Sequence, residues 1–226
     1  MIVLFKHALK QSFAQPINIL IIFILPLAII FIPAQGNGYP NGLYLFGMLN
    51  LFSAFLLCKP IVEDRINKII VRISATPTSY ATYLSSHLLG YLLILTVQNI
   101  IFTLGIYLRW NDAITHYGFI FILIFVYSIM TIAFTLSWNS MFRSYNLSFG
   151  LFSGVGSIMC LVSGISMPLQ FIPEGIRKFI LILPTYWLPY GLDALYNAKI
   201  NYVLIAYLVL LVYSAILLLI GSKRRY

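Results

Sequence analysis

The sequence predicts an all-α polytopic membrane protein in which six transmembrane helices form a single domain over residues 1–226. First, 61% of the residues are hydrophobic and 8% are charged, whereas a soluble domain carries roughly 45–50% apolar and 25% charged residues. Second, the mean hydropathy is +0.96, and the apolar runs approach the length of about 20 residues that crosses a bilayer. Third, 226 residues leave room for about six such helices. These observations exclude a water-soluble enzyme, a disordered chain and a disulfide scaffold.

The chain is predicted to begin with an amphipathic helix over residues 1–15 that lies in the membrane interface. Its apolar side carries Ile2, Phe5, Ala8, Leu9 and Phe13, and its polar side carries Lys6, His7, Lys10 and Gln11. Pro16 then starts the first predicted span, residues 17–33. A secretory signal peptide is the alternative interpretation, disfavoured because no A-x-A cleavage site follows and the rest of the chain is also membranous.

Five further spans are predicted at residues 43–58, 83–108, 118–140, 147–167 and 202–220. Between the second and third spans, residues 59–82 form a polar segment with six charged side chains. Between the fifth and sixth spans, four prolines fall within 22 residues: Pro168, Pro173, Pro184 and Pro189. Since proline breaks a helix, residues 168–192 are predicted to form an outer hairpin of two short helices meeting near Leu183 and Pro184.

The charge balance predicts the orientation of these spans. The chain has 14 Lys and Arg against 5 Asp and Glu, a net charge of +9. Six spans place both termini on one side, together with Lys6, Lys10, Lys59, Arg65, Lys68, Arg72, Arg143, Lys223, Arg224 and Arg225. The other side has Arg109, Arg177, Lys178 and Lys199. Cations concentrate in cytoplasmic loops, so the termini are predicted to be cytoplasmic, and the positive charge needs no nucleic acid partner.

The predicted spans lack the chemistry that would drive transport from within. Their interiors hold no Lys, Arg, Asp or Glu, the groups that usually relay a coupling ion. The sequence has no G-x-x-x-x-G-K-[ST] phosphate loop, and its residues suggest neither a catalytic group nor a metal site. His87, near one end of the third span, is interpreted as an interfacial or hydrogen-bonded histidine. Uphill transport would therefore draw its energy from another subunit.

Residues 59–77 read as a second amphipathic helix, ended by Pro77. One narrow face carries Val62, Ile66, Ile69 and Ile73, and a flank carries Arg65, Lys68 and Arg72. The helix could lie on anionic lipid or dock a soluble partner, and the pattern alone does not separate these alternatives.

Two sets of motifs resemble ABC-2-type exporter permeases. The first is Glu63-Asp64-Arg65, Arg72 and Thr76-Pro77, followed by Tyr83-Leu84, with Asn67 near the place where the family commonly has a glycine. The second is Ser163-Gly164-Ile165-Ser166-Met167-Pro168, then Ile172-Pro173 and Leu183-Pro184-Thr185-Tyr186. The resemblance covers essentially the whole chain, in the order of its predicted elements.

The resemblance implies the membrane subunit of an ATP-driven exporter in a bacterial plasma membrane. Such subunits pair as homodimers or heterodimers and bind two cytoplasmic ABC ATPase subunits, which hold ATP and Mg, so this chain needs no cofactor. The implied coupling residues are Lys6, Lys10, Glu63, Asp64, Arg65, Lys68 and Arg72. The implied outer gate consists of Ser163, Gly164, Pro168, Pro173, Pro184 and Tyr186.

Several alternatives stay open. Short outer loops favour a hydrophobic or amphipathic substrate, such as a drug, a lipid or a peptide, but relatives of similar size export lipid-linked polysaccharide. A stand-alone carrier and a membrane scaffold are the other function classes. Gly150, Gly154 and Ser157 could pack within one subunit or form a dimer face. Asp193 could cap a helix or face a cavity, and capping is expected.

Overall fold

The computed structural model describes residues 2–13, 16–34, 39–67, 69, 80–110, 114, 116–167, 175 and 179–223. Over these residues the regular structure is helical, which confirms the predicted all-α class. The helices are α1 Ile2–Phe13, α2 Pro16–Ile19, α3 Leu25–Ile29, α4 Asn41–Leu57, α5 Lys59–Ile66, α6 Tyr80–Trp110, α7 Tyr117–Ser140, α8 Tyr145–Val162, α9 Trp187–Tyr196 and α10 Ile200–Lys223. Among the described residues, five helices are long and apolar enough to cross a membrane, α4 being taken together with α5.

The first predicted span is a bent helical segment in which a π turn, Leu20–Ile24, joins α2 to α3. Pro26 follows the turn. It has no N–H to donate, and in a regular α-helix its ring would clash with the carbonyl of the residue four positions earlier. The chain instead widens, and the N–H of Leu25 bonds to the carbonyl of Leu20, five residues back. The apolar part, Leu20–Ile29, is shorter than the other candidate spans, so six crossings stay a prediction.

The second predicted span continues beyond its expected end at residue 58. Cys58 keeps right-handed helical dihedrals, and the N–H of Val62 bonds to the carbonyl of Cys58 at 3.4 Å. Pro60 sits at the start of α5, where its missing N–H has no helical partner to lose. The first part of residues 59–82 is therefore an extension of α4 that ends at Asn67, and residues 70–79 lie outside the described chain.

α7 is the central helix and packs against α4, α6, α9 and α10. In its most apolar stretch 67% of the residues are buried, against 22% in α8 and in α10, whose outer faces therefore meet lipid or another subunit. Stacked rings fill the core, with Phe46 and Phe102 centred 3.9 Å apart and Phe55 and Phe152 4.1 Å apart. These aromatic side chains pack helices together.

The two ends of the helix bundle carry different elements. At the end called here the α5 end, α1 packs along α6 with Ala8 against Gly90, and Gly221 of α10 lies against Leu136 and Ser137 of α7. At the opposite end, called the α9 end, the indole N–H of Trp110 donates to the carbonyl of Ile30 at 2.8 Å. The first and last described helices therefore reach the same end of the bundle.

Candidate functional site

The charged residues of α5 tie this helix to its neighbours. The hydroxyl of Tyr83 on α6 donates to Oδ2 of Asp64 at 2.6 Å. Nη1 of Arg65 donates to the main-chain carbonyl of Asn139 on α7 at 3.1 Å. These bonds hold α5 against the first turn of α6 and the last turn of α7.

A further set of contacts joins α8 to this end. Nζ of Lys59 lies 3.5 Å from the Glu63 carboxylate and 5.4 Å from the centre of the Tyr145 ring. The hydroxyl of Ser148 donates to Oδ1 of Asn139 at 2.7 Å. α5 is thus the element at which α6, α7 and α8 meet.

Arg65 has hydrogen-bonding capacity to spare. Its Nε and Nη2 atoms are buried and have no hydrogen-bond partner among the described residues. A guanidinium offers five N–H donors in a fixed plane and prefers carboxylate or phosphate oxygens. Chemically, this end of the bundle can therefore receive an anionic group.

The structure brings together three of the seven predicted coupling residues, Glu63, Asp64 and Arg65, on α5. Lys6 and Lys10 are exposed on α1, which contacts both α5 and α6. Lys68 and Arg72 lie outside the residues whose side chains are described. The residues of the predicted apolar face of this helix differ in exposure, since Val62 is buried whereas Ile66 is 45% exposed.

His87 is buried beside this site on α6. Its Nδ1 lies 3.2 Å from the hydroxyl of Tyr91, and its ring is centred 4.4 Å from that of Tyr83. The contact with Tyr91 agrees with the interpretation of His87 as a hydrogen-bonded histidine.

A buried polar cluster near the middle of the bundle was missed by the sequence analysis. Nδ2 of Asn50 on α4 donates to Oδ1 of Asn99 on α6 at 3.2 Å and to Oγ of Ser128 on α7 at 2.9 Å. Nδ2 of Asn99 also donates to Ser128 at 2.9 Å, and the hydroxyl of Thr131 donates to Oδ1 of Asn50 at 2.9 Å. The side chains of these four residues form one hydrogen-bonded unit across three helices.

The signal for this cluster was present in the sequence. Asparagine is costly in hydrocarbon unless it is paired, so an amide on each of two predicted spans predicts an interhelical contact. Ionisable side chains, on which the prediction of function depended, are absent from this cluster. Periodicity alone does not show which amides face each other, and Gln98 pairs instead with Ser53 at 3.2 Å.

At the α9 end, α8 finishes at the Ser163-Gly164 pair. Gly164 has φ of 89°, a left-handed conformation that glycine adopts without steric cost. The chain then turns back, and the N–H groups of Ile165 and Ser166 bond to the carbonyl of Cys160 at 3.2 and 3.1 Å. This turn directs Ile165 onto Gly47 of α4, where Leu188 of α9 also packs.

The outer segment breaks at Pro184. Leu183 is extended, with φ −77° and ψ 126°, and a 3₁₀ turn at Pro184–Tyr186 leads into α9 and contacts α8. Gly191 packs on Leu123 and Ala206, each six residues inside its helix, so α9 dips about 9 Å into the bundle end.

The predicted gate residues Ser163, Gly164, Pro184 and Tyr186 share the α9 end. Pro184 is buried, and the ring of Tyr186 lies 5.7 Å from that of Trp187. Pro168 and Pro173 lie outside the described residues, as does most of the first half of the expected hairpin.

Asp193 does not cap a helix, contrary to the expectation. It lies inside α9, and its Oδ1 accepts a 2.6 Å hydrogen bond from the hydroxyl of Tyr44 on α4. The residue is exposed. The protein around its carboxyl group nevertheless displaces water and thereby raises the pKa of the carboxyl. The aspartate thus joins α9 to α4.

A family model described as ABC-2 family transporter protein matches residues 9–223. The match begins within α1 and ends at the last residue of α10. No curated protein matches the chain.

Proposed function

The chain belongs to the ABC-2 family of transporter proteins, and from this membership we propose that it is the membrane-spanning subunit of an ATP-driven exporter. Members of this family are transport subunits of the membrane and are not themselves catalytic. The sequence carries no phosphate-binding loop. Energy therefore comes from a cytoplasmic ABC ATPase, bound in two copies, which holds ATP and Mg. Family membership is the observation that carries this proposal.

The α5 end is proposed as the contact with the ATPase. Asp64 is bonded to α6 and Arg65 to α7, so a displacement of α5 is passed directly to two long helices. The buried, unpartnered N–H groups of Arg65 suit a carboxylate of the ATPase. Lys6 and Lys10 on the neighbouring α1 add positive charge for the same partner. Lys68 and Arg72 are assigned to this contact from their place in the sequence.

From this assignment we propose that the α5 end and both termini face the cytoplasm, because most of the cations in the sequence are assigned to that side. The α9 end faces outward from the plasma membrane of a bacterial cell.

A second permease subunit is proposed to pack on α8. A Cβ at Gly150 or Gly154 would have nothing within 4 Å, so these glycines serve no close packing against the described part of the subunit. Small residues let membrane helices approach closely, and the adjacent Leu147, Leu151 and Ile158 are exposed. The partner is a copy of this chain or a homologous subunit.

The proposed cargo is hydrophobic or amphipathic: a drug, a lipid or a peptide. The sequence predicts short outer loops, and the described part of the α9 end carries the shallow helix α9, which would act with Ser163, Gly164, Pro184 and Tyr186 as the outer gate. Pro168 and Pro173 are included from the sequence. Outward movement on ATP binding would open this gate.

Purification of the tagged chain from its native membrane tests the proposal. We expect an ATPase of soluble size to co-purify, and proteoliposomes containing both proteins to accumulate a fluorescent amphiphile only with ATP. Transport by the lone chain without ATP would instead identify a stand-alone carrier. A stable complex that neither transports nor hydrolyses ATP would identify a scaffold.

A further inference from the structure

A depression of about 320 Å³ opens on the α9 end between the end of α9 and the start of α10. It is lined by Tyr190, Asp193, Ala194, Asn197, Lys199 and Tyr202. Three of these residues lie on α9, but none of the six is among the named coupling residues or the named gate residues. They bring one carboxylate, one ammonium and two aromatic rings to a single open surface.

Only one of the two carboxylate oxygens of Asp193 accepts a hydrogen bond. Its Oδ1 accepts the hydroxyl of Tyr44 at 2.6 Å, whereas its Oδ2 has no hydrogen-bond or ion-pair partner among the described residues. The surrounding protein raises the pKa of the carboxyl by displacing water, so the charged form lacks solvation that a neighbouring cation would replace. The geometry therefore leaves one negatively charged oxygen available in the depression.

One of the two aromatic rings, that of Tyr202, already receives a cation. The rings of Tyr190 and Tyr202 are centred 6.5 Å apart at an angle of 74°. Nζ of Lys199 lies 5.9 Å from the centre of the Tyr202 ring, within the range of cation–π attraction. Lys199 thus occupies with its own ammonium a position that another ammonium could take.

The turn after α9 brings these groups together. Ala198 is left-handed, with φ of 55°, and the N–H of Lys199 bonds to the carbonyl of Ala194 at 2.9 Å. The turn folds Lys199 and Tyr202 back beside Asp193 at the C-terminal end of α9, the negative end of a helix dipole. The electrostatic environment therefore favours a positive ligand.

We infer that this depression binds the ammonium group of an amphipathic molecule, with Asp193 as its counter-ion and Tyr190 and Tyr202 as its aromatic walls. The bound ammonium displaces that of Lys199, which turns to solvent or to an anionic group of the same ligand. The inference rests on the proposed function, because it states that the exported amphiphile carries an amine. The ammonium has two sources, a single-chain amine or the headgroup of a zwitterionic lipid.

Binding to the purified chain in maltoside micelles, without any ATPase, tests the inference. Equilibrium dialysis with radiolabelled decyltrimethylammonium measures the single-chain amine, with empty micelles subtracted. Short-chain phosphatidylcholine measures the lipid headgroup, with phosphatidylglycerol of equal chain length as its control. Because no transport is measured, failure here leaves the proposed export function untouched, and failure of transport leaves this binding result standing.

Four variants at three positions give different expectations. Asp193→Asn should weaken ammonium binding by up to about fivefold, since a partly exposed ion pair without a hydrogen bond contributes about 0.2–1 kcal/mol. Tyr202→Phe keeps the aromatic face and should bind normally, whereas Tyr202→Leu should bind about two- to fivefold more weakly. Lys199→Gln removes the competing ammonium and should bind more tightly than the wild type.

A matched control is Glu63→Gln, which removes one carboxylate at the opposite end and should leave ammonium binding unchanged. Thermal unfolding of each variant in the same micelles checks that the chain is folded. Loss of binding for decyltrimethylammonium alone supports a single-chain amine, and loss for phosphatidylcholine alone supports the headgroup. Equal binding by Asp193→Asn and wild type for both ligands would overturn the inference.

Discussion

The hydroxyl of Tyr83 donates a 2.6 Å hydrogen bond to the carboxylate of Asp64 and so joins α6 to α5. Both residues are at least partly buried. The adjacent Arg65 donates a hydrogen bond to the carbonyl of Asn139 at the end of α7. Two consecutive residues of one short helix thus hold two long helices. This arrangement is the physical basis for expecting motion of α5 to reach the bundle.

Replacement of Tyr83 tests that linkage. Tyr83→Phe keeps the ring but leaves Oδ2 of Asp64 without its donor, which costs about 1–3 kcal/mol for a buried group. We expect a lower thermal unfolding midpoint and a reduced rate of transport-coupled ATP hydrolysis by the reconstituted complex. Tyr107→Phe, an equivalent change at an exposed site on the same helix, is the control. Unchanged coupling in Tyr83→Phe would mean that α5 does not transmit motion through this bond.

The buried amide cluster predicts a different effect, on stability alone. Asn50→Leu removes the hydrogen bonds that Asn50 makes with Asn99, Ser128 and Thr131 at once and should lower the free energy of unfolding by about 1–3 kcal/mol. Chemical unfolding in detergent measures the change. The control Thr96→Val removes a hydroxyl that bonds only within its own helix, to the carbonyl of Leu92, and should have a smaller effect. Equal losses would show that the cluster contributes nothing beyond a local hydrogen bond.

Sequence reasoning succeeded where a single residue constrains the backbone. Pro184 predicted the break before α9, and the left-handed Gly164 accounts for the turn in a Ser163-Gly164 segment first noted as a motif. It failed where the outcome depends on which helices face each other. The amide cluster joins Asn50 to Asn99, which are 49 positions apart, and the other hydrogen bond joins Tyr44 to Asp193, which are 149 positions apart. Contacts between residues so far apart cannot be predicted from the helical periodicity of the sequence.

The sequence did not predict that the helix continues past residue 58, where the charged segment begins. Proline is tolerated in the first turn of a helix, so α4 runs on into α5 through Cys58. The π turn before Pro26 is a similar case. The helix widens there to accommodate the proline, which has no N–H, and it continues instead of ending.

Close backbone contact at Gly42 predicts a severe effect of a small substitution. A Cβ there would overlap the main-chain carbonyl of Ile29, which cannot move aside as a side chain can. Gly42→Ala should therefore destabilise the protein by about 1–3 kcal/mol or more. Gly118→Ala, with nothing within 4 Å of the added Cβ, is the matched control and should change stability little. A native midpoint for Gly42→Ala would contradict the packing of α3 on α4.

The turn that closes α9 predicts a stabilising substitution. Ala198 is held at φ 55°, and a left-handed residue with a Cβ is strained by roughly 1–2 kcal/mol. Glycine removes that strain but loses more conformational entropy on folding, about 0.5–1 kcal/mol, so Ala198→Gly should raise the free energy of unfolding by up to about 1 kcal/mol. Ala215→Gly, at an exposed position inside α10, has the same composition change and should instead lower it by about 1 kcal/mol. Because both variants share the unfolded-state effect, the difference between their unfolding midpoints isolates the strain. If Ala198→Gly is no more stable than Ala215→Gly, residue 198 is not left-handed in the native protein, and the turn that brings Lys199 beside Asp193 would be wrong with it.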